Sequence, residues 1–218
     1  MKRVSTGCRS LDELLGGGVE DGSVTMIYGE GGCGKTNMCL QLAKNVIGAG
    51  RKVAYIDTEG LSYDRMLQIF GDDELLKELL VFQVHSFEEQ SDKIDKISRL
   101  AENGVLGMIV IDSMTMFYRL NYEDPKVRND LIRQTEVLLD TARRSEIPVI
   151  ISSQVYSKMQ TGVVEFLGGH AMQHNAKTII RLDKKSNGIR TAVIIKHRSL
   201  PEGRSANYRI TADGIGDL

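Results

Sequence analysis

The sequence predicts an α/β fold: a mostly parallel central sheet flanked by helices, with antiparallel strands at its C-terminal edge. Three observations point to it. Residues 24–42 read as an apolar strand, a glycine loop and a helix in direct succession. Further apolar runs at 53–57, 107–112 and 148–153 alternate with stretches of helical periodicity, the arrangement that sets parallel strands side by side. Beyond residue 177 the pattern becomes β-rich, and Asn187-Gly188 marks a hairpin turn.

A length of 218 residues is near the upper range for one domain, and a single domain over 1–218 is expected, with residues 1–23 as a lead-in. Hydrophobic residues at 41% and charged residues at 26% suit a soluble globular protein. No apolar run approaches the roughly 18 residues of a membrane span, and no secretory signal precedes the first motif. Cys8, Cys33 and Cys39 are odd in number and unpaired in spacing, which argues against a disulfide framework or a zinc site and suits a reducing cytoplasm. The formal net charge is −1, so nothing draws the whole molecule toward nucleic acid. Charge is still polarised. Of 28 basic and 29 acidic residues, positions 177–209 hold nine Lys and Arg against two acids, which leaves 19 and 27 elsewhere. Such a run is equally the solvated face of edge strands.

Taken in order, Ser5-Thr6-Gly7 leads into a short amphipathic turn of helix that stops at Gly16-Gly17-Gly18. The strand at 24–28 then enters Gly29-Glu30-Gly31-Gly32-Cys33-Gly34-Lys35-Thr36, the P-loop pattern with four residues between its fixed glycines, followed by Asn37 on the helix. Inward-facing amides and the positive end of the helix cradle phosphate oxygens, and glycines let the backbone come close. Lys35 would reach the outer phosphates, and the Thr36 hydroxyl would fill one position on a magnesium ion. Cys33 sits where helix amides lower a thiol pKa, although packing is its plainer role.

The second buried strand ends at Asp57-Thr58-Glu59-Gly60. Ligands collect beyond the carboxyl ends of parallel strands, which places Glu59 to orient or deprotonate a water; a helix-capping acid is the other reading. Helices are expected over 61–70, 72–80 and 87–103, with a short strand at 80–84. The strand 107–112 closes on Asp112, matching the second magnesium-holding element of P-loop enzymes. Residues 114–128, with Arg119 and Arg128, read as a loop before a helix from about 129 to 144. Strand 148–153 ends at Gln154, whose amide could bond a terminal phosphate and report its loss. Residues 156–170, with Lys158, read as a mobile loop. At the end of the middle C-terminal strand, alternation would put Lys196 and Arg198 on one side and His197 on the other.

Several landmarks agree at once. Ser5-Thr6-Gly7, Leu11-Asp12 and Leu14-Leu15-Gly16-Gly17-Gly18 precede the glycine loop; Tyr55-Ile56-Asp57-Thr58-Glu59-Gly60, Ile109-Val110-Ile111-Asp112-Ser113-Met114-Thr115, Ser152-Ser153-Gln154-Val155, Gly168-Gly169-His170 and Leu200-Pro201-Glu202-Gly203 follow it. In order and spacing, over nearly the whole chain, they resemble the RecA/RadA recombinase superfamily, in the form of its small archaeal members. The resemblance implies a RecA-type P-loop ATPase core that binds ATP and Mg2+ at a surface shared between neighbouring subunits. By the same resemblance, Glu59 matches the catalytic glutamate, assisted by Lys35 and by Gln154 as a phosphate sensor linked to DNA. Thr36 and Asp112 match the magnesium-associated pair, and Arg65 falls near the arginine that stacks on adenine. The segments 119–128 and 156–169, with Arg119, Arg128 and Lys158, match the two DNA-binding loops. Lys196 and Arg198 resemble paired cations that reach a neighbour's γ-phosphate.

The partners implied are single-stranded or branched DNA, a RadA-type recombinase and a Holliday-junction resolvase, with weak self-association. Full archaeal recombinases carry a helix-hairpin-helix domain and a docking linker ahead of the core, for which 23 residues leave no room, and the first DNA loop is short. The expectation is therefore an accessory factor of recombination and repair with weak hydrolysis. A regulatory RecA-core ATPase of the clock-protein type, a nucleotide-holding recruitment module and a small-molecule kinase are the alternatives; stimulation of hydrolysis by DNA separates the first reading from the rest.

Overall fold

The computed structural model describes residues 2–157, 164–166 and 169–218. The chain opens with β1 (Arg3–Val4), α1 (Arg9–Leu15) and β2 (Val19–Glu20), and β1 pairs antiparallel with β2. Gly18 runs against β1 so closely that a Cβ there would lie 2.0 Å from the Val4 carbonyl oxygen, which explains why the segment ends in glycine. Next come β3 (Val24–Gly29), α2 (Lys35–Gly48), β4 (Lys52–Asp57), α3 (Tyr63–Phe70), α4 (Asp73–Leu76), β5 (Leu79–Gln83), α5 (Phe87–Glu102) and β6 (Leu106–Asp112). A 3-10 turn, Tyr118–Leu120, precedes α6 (Pro125–Ser145), β7 (Val149–Ser157), β8 (Val164–Phe166) and α7 (Gly169–Asn175). The chain then runs through β9 (Thr178–Lys184), β10 (Ile189–His197), β11 (Ser205–Thr211) and β12 (Gly214–Gly216).

Local chemistry sets most of these limits. Ser62 and Ser86 accept from the backbone N–H groups of Arg65 and Glu89, satisfying donors that a helix start leaves open. The α5 helix stops at Asn103, with Gly104 in the left-handed region at φ 73°. Two expectations need correction here. Asp72 caps a helix of only four residues, so 72–80 is not one helix and β5 begins at Leu79. Asp124 accepts from the Lys126 N–H and Pro125 occupies the first helical turn, so α6 starts four residues before Asn129 and takes in Arg128.

The main sheet has the order β12-β11-β10-β9-β3-β7-β6-β4-β5, with β8 attached to β7. From β9 to β5 all neighbours run parallel, whereas β10, β11 and β12 are antiparallel, as the sequence predicts for the C-terminal edge. The strands β3 and β6 are buried along their whole length, which is why they read as unbroken apolar runs. Alternate residues feed two cores. Met108 and Val110 join the core on the side of α2, while Ile109 and Ile111 join the core on the side of α5.

The segment 156–170 is only partly the irregular loop expected of it. Val155, Tyr156 and Ser157 pair antiparallel with Phe166, Glu165 and Val164, and α7 begins at Gly169. Lys158 lies outside the described residues.

Candidate functional site

The carboxyl ends of β3, β4, β6 and β7 lie along one rim of the sheet, where Gly29 pairs with Gln154 and Asp57 with Asp112. Every residue singled out on those strands therefore meets its neighbours there.

The glycine loop joins β3 to α2. A Cβ at Gly29 would sit 2.3 Å from the Leu182 carbonyl oxygen and 2.8 Å from Cys33 Sγ, and Gly34 has a φ of 106°, so both fixed glycines are sterically required. Glu30, Gly31 and Gly32 form an exposed tip. The buried Lys35 ammonium donates to the carbonyls of Gly29 (2.8 Å) and Glu30 (3.1 Å), folding back over its own loop. Tyr208 donates its hydroxyl to the Cys33 carbonyl at 2.7 Å and Arg190 reaches the Gly32 carbonyl at 3.4 Å, so the C-terminal hairpin braces the loop from behind. Cys33 is fully buried and its thiol is pushed up by that burial. The expectation of a lowered pKa fails, because desolvation outweighs the nearby Lys35 charge and the local N–H groups.

Below the loop, Asp112 is 4% exposed and collects three hydroxyl donors. Thr36 and Tyr55 each donate to Oδ2 at 2.7 Å, and Ser152 donates to Oδ1. Burial and the adjacent Asp112 charge hold the Tyr55 hydroxyl well above its ordinary pKa, so it stays a donor. Thr36 and Asp112, far apart in sequence, thus present adjacent oxygens of the kind a hard divalent cation takes.

Glu59 is fixed at both ends. The buried Asp57 carboxylate accepts the N–H groups of Glu59 (3.1 Å), Gly60 (2.8 Å) and Leu61 (2.7 Å), which locks the turn. Glu59 Oε1 accepts from the Ser113 hydroxyl at 3.0 Å and from Gln154 Nε2 at 2.7 Å. Ser113 is itself tied to Thr58, whose hydroxyl accepts from its N–H at 2.7 Å. Arg119 donates to Gln154 Oε1 at 3.2 Å. Arg65 lies beside α2, donating through Nε to Asn37 Oδ1 at 2.7 Å and through its terminal nitrogens to the carbonyls of Thr211 and Ala212. The structure thus brings together Gly29–Asn37, Glu59, Arg65, Asp112, Gln154 and Arg119.

Other positions stand apart. Arg128 lies in the first turn of α6 and reaches the Tyr122 carbonyl at 3.5 Å. Lys196 pairs with Ile179, which is level with Met26, and His197 pairs with Thr178, which is level with Thr25. That level is three to four residues below Gly29, about 10–13 Å at 3.3 Å per residue. The two cations, which alternation would put on one side, engage different groups of this chain. A register shift at Ile195 interrupts β10; Lys196 donates to the Gln173 and Ala176 carbonyls, while Arg198 pairs with the Glu20 carboxylate at 2.6 Å. The basic run is likewise largely engaged, with Arg181 on Asp183 and Arg204 on the Glu13 carbonyl.

The sequence alone assigns no role in the site to Tyr55, Ser113, Ser152, Asp57 or Tyr208. Each carries an ordinary side chain whose role comes from what stands opposite it. Among the described residues, no helix is long and apolar enough to cross a membrane.

Comparison with known proteins agrees with this arrangement. The family model described as Rad51 matches residues 1–218. The DNA repair and recombination protein RadB of Methanococcoides burtonii is 43% identical over 220 residues, covering 98% of this chain and 97% of that protein. Its counterpart in Archaeoglobus fulgidus is 44% identical over 216 residues, covering 97% of each. A solved structure described as the RadB recombinase superposes with a TM-score of 0.88 at 37% identity, covering 99% of both chains. With the family model matched from end to end and the glycine-loop rim in place, the chain belongs to the Rad51 family, within the RecA/RadA superfamily and alongside the archaeal RadB proteins.

Proposed function

We propose that this protein is an ATP- and Mg2+-dependent DNA-binding accessory factor of homologous recombination and DNA repair, with weak hydrolysis that modulates a RadA-type recombinase. The observation that carries the reading is the Thr36–Asp112 hydrogen bond beneath a glycine loop whose glycines admit no side chain. Loop amides and the Lys35 ammonium, released from the Gly29 and Glu30 carbonyls, would hold the triphosphate. Thr36, steadied by Asp112, would hold the cation, which when bound supplies charge neutralisation at the β- and γ-phosphates. Glu59 would accept the proton of the attacking water, and Gln154 would read the terminal phosphate. Asn37 and Arg65 would border the base.

DNA would meet the loop at 119–128 through Arg119 and Arg128, with Lys158 and the segment around it as a second contact. Lys196 and Arg198 lie far down the sheet from their own glycine loop, so any phosphate they touch belongs to a neighbouring copy in a weak homo-oligomer, or to DNA. The names of the relatives, DNA repair and recombination protein RadB, support a partnership with the recombination machinery; a RadA-type recombinase and a Holliday-junction resolvase are the partners this reading proposes.

The test pairs nucleotide binding with DNA binding. A fluorescent ATP analogue with Mg2+ should bind the native chain and not Lys35→Ala. Single-stranded and branched DNA should bind in the presence of ATP, with affinity that falls steeply as salt rises, because each neutralised phosphate releases counterions. Unchanged analogue binding by Lys35→Ala would overturn the nucleotide site. ATP turnover with no DNA affinity at low salt would favour the regulatory, clock-type alternative.

A further inference from the structure

We propose that Tyr208 is a positioning residue for the nucleotide site: its hydroxyl holds the Cys33 carbonyl on the outside of the glycine loop and so turns the Gly34 N–H inward, onto a phosphate common to ADP and ATP. The inference deepens the reading of the loop as an ATP site and rests on it.

The C-terminal strands deliver a row of side chains to the loop. Lys184 on β9 stands level with Arg190 on β10, and Arg190 with Tyr208 on β11. Residues directly opposite one another in an antiparallel ladder project to the same face. That face meets the loop. The Lys184 ammonium lies 3.3 Å from where a Cβ on Gly32 would stand, Arg190 Nη2 donates to the Gly32 carbonyl at 3.4 Å, and the Tyr208 hydroxyl donates to the Cys33 carbonyl at 2.7 Å.

Peptide geometry converts these outward contacts into inward ones. In a trans peptide the carbonyl and the N–H of the next residue point in opposite directions, and both peptides here are trans. Arg190 on the Gly32 carbonyl therefore sends the Cys33 N–H inward, where it donates to the Glu30 carbonyl at 3.3 Å. Tyr208 on the Cys33 carbonyl does the same for the Gly34 N–H. Gly34 is the N-cap of α2, which has no side-chain cap, so this amide joins the open N–H groups of the first helical turn.

Tyr208 is placed to act by orientation, without charge. It has no exposed surface, and its ring lies against Gly34, with Cε2 3.7 Å from a Cβ built there. Burial, helped by the adjacent Cys33 thiol, holds the hydroxyl far above its ordinary pKa, so it stays a donor. Gly34, at a φ of 106°, has no Cβ to restrict its peptide, and a held carbonyl removes that freedom before the ligand arrives. Lys184 is exposed and Arg190 half-buried, so what they add is charge, which salt screens.

Cys33-Gly34 is the one Cys-Gly step in the sequence. Protein carrying cysteine labelled at the carbonyl carbon and glycine labelled at nitrogen therefore gives a single carbonyl–amide NMR cross-peak, that of Gly34. In the native chain ADP should move the Gly34 proton downfield and leave the Cys33 carbonyl shift in place, because its bond to Tyr208 persists. Tyr208→Phe keeps the ring and removes only the hydroxyl. It should shift the Cys33 carbonyl before any ligand is added and reduce the ADP-induced movement of the Gly34 proton. It should also bind ADP and a fluorescent ATP analogue about 3–10-fold more weakly, the effect of one net hydrogen bond, with the same factor for both nucleotides and at low and high salt. For Arg190→Gln the loss should shrink as salt rises. The proposal is overturned if Tyr208→Phe binds both nucleotides as tightly as the native chain, whatever its Tm. It is equally overturned if ADP leaves the native Gly34 proton in place or displaces the Cys33 carbonyl. Failure of the ATP-site reading looks different: the native chain and Lys35→Ala would then bind the analogue alike.

Discussion

Removing the hydroxyl of Tyr55 tests the floor of the site, because that one atom connects the core to the Asp112 carboxylate. Tyr55 has no exposed surface, and its hydroxyl donates to Asp112 Oδ2 at 2.7 Å. In Tyr55→Phe the carboxylate keeps Thr36 and Ser152 but loses a third of its donors. A hydrogen bond to a charged group contributes about 1.5–3 kcal/mol, and the void left by one oxygen adds only a few tenths more, so a loss of about 2–3 kcal/mol is expected. For 218 residues, an unfolding entropy of about 2.1 cal/mol/K per residue converts this into a fall in Tm of about 4–7 °C. Differential scanning calorimetry reads it directly. A functional consequence follows, since the Asp112 carboxylate that steadies Thr36 is then held by one donor fewer and places the Thr36 oxygen less firmly for a cation. The rise in Tm on adding Mg2+ and ATP should therefore be smaller in Tyr55→Phe than in the native chain. A Tm within 1 °C of native, with full stabilisation by nucleotide, would refute the reasoning; the Asp112 carboxylate would then not depend on Tyr55.

Ser113→Ala removes the other donor to Glu59 and leaves the Asp57-locked turn intact, so kcat should change by about 3–10-fold while analogue binding stays native; Ser113→Thr should restore it. Cys33 should resist iodoacetamide at neutral pH in the native protein and react quickly in urea, since burial both covers the thiol and raises its pKa. Asp217 has its carboxyl lowered to about 2, chiefly by the Ser10 backbone N–H at the start of α1 and also by the Ser10 hydroxyl. A depressed acid stabilises the fold above its ordinary pKa and loses that effect as pH falls toward 2, so Asp217→Asn should flatten the acid unfolding curve between about pH 4 and 2 and lower neutral stability by an amount that does not vary with pH. Circular dichroism across an acid titration measures it.

What the sequence settled by itself was whatever depends on local pattern. Unbroken apolar runs specified the buried parallel strands, Gly29, Gly34, Lys35 and Thr36 specified the loop, and acids or amides at strand ends specified which residues gather on the rim, since every parallel strand delivers its last residue to the same side. The start of α6 is also written locally, in Asp124 and Pro125. Tertiary structure alone decided the pairings across distance. Tyr55, Ser113 and Ser152 have no signature in the chain, because a hydroxyl becomes a carboxylate's donor only when a neighbouring strand in the right register sets it opposite. The fate of Lys196 and Arg198 turned on where β10 ends, since the strand stops at His197 and Arg198 lies past it, outside the pleat that fixes Lys196 and close to Glu20. Cys33 shows the same division. Its place beside helix amides was visible in the sequence, but the sign of its pKa shift belonged to burial, and burial is set by the packing of segments that the chain brings together only when folded.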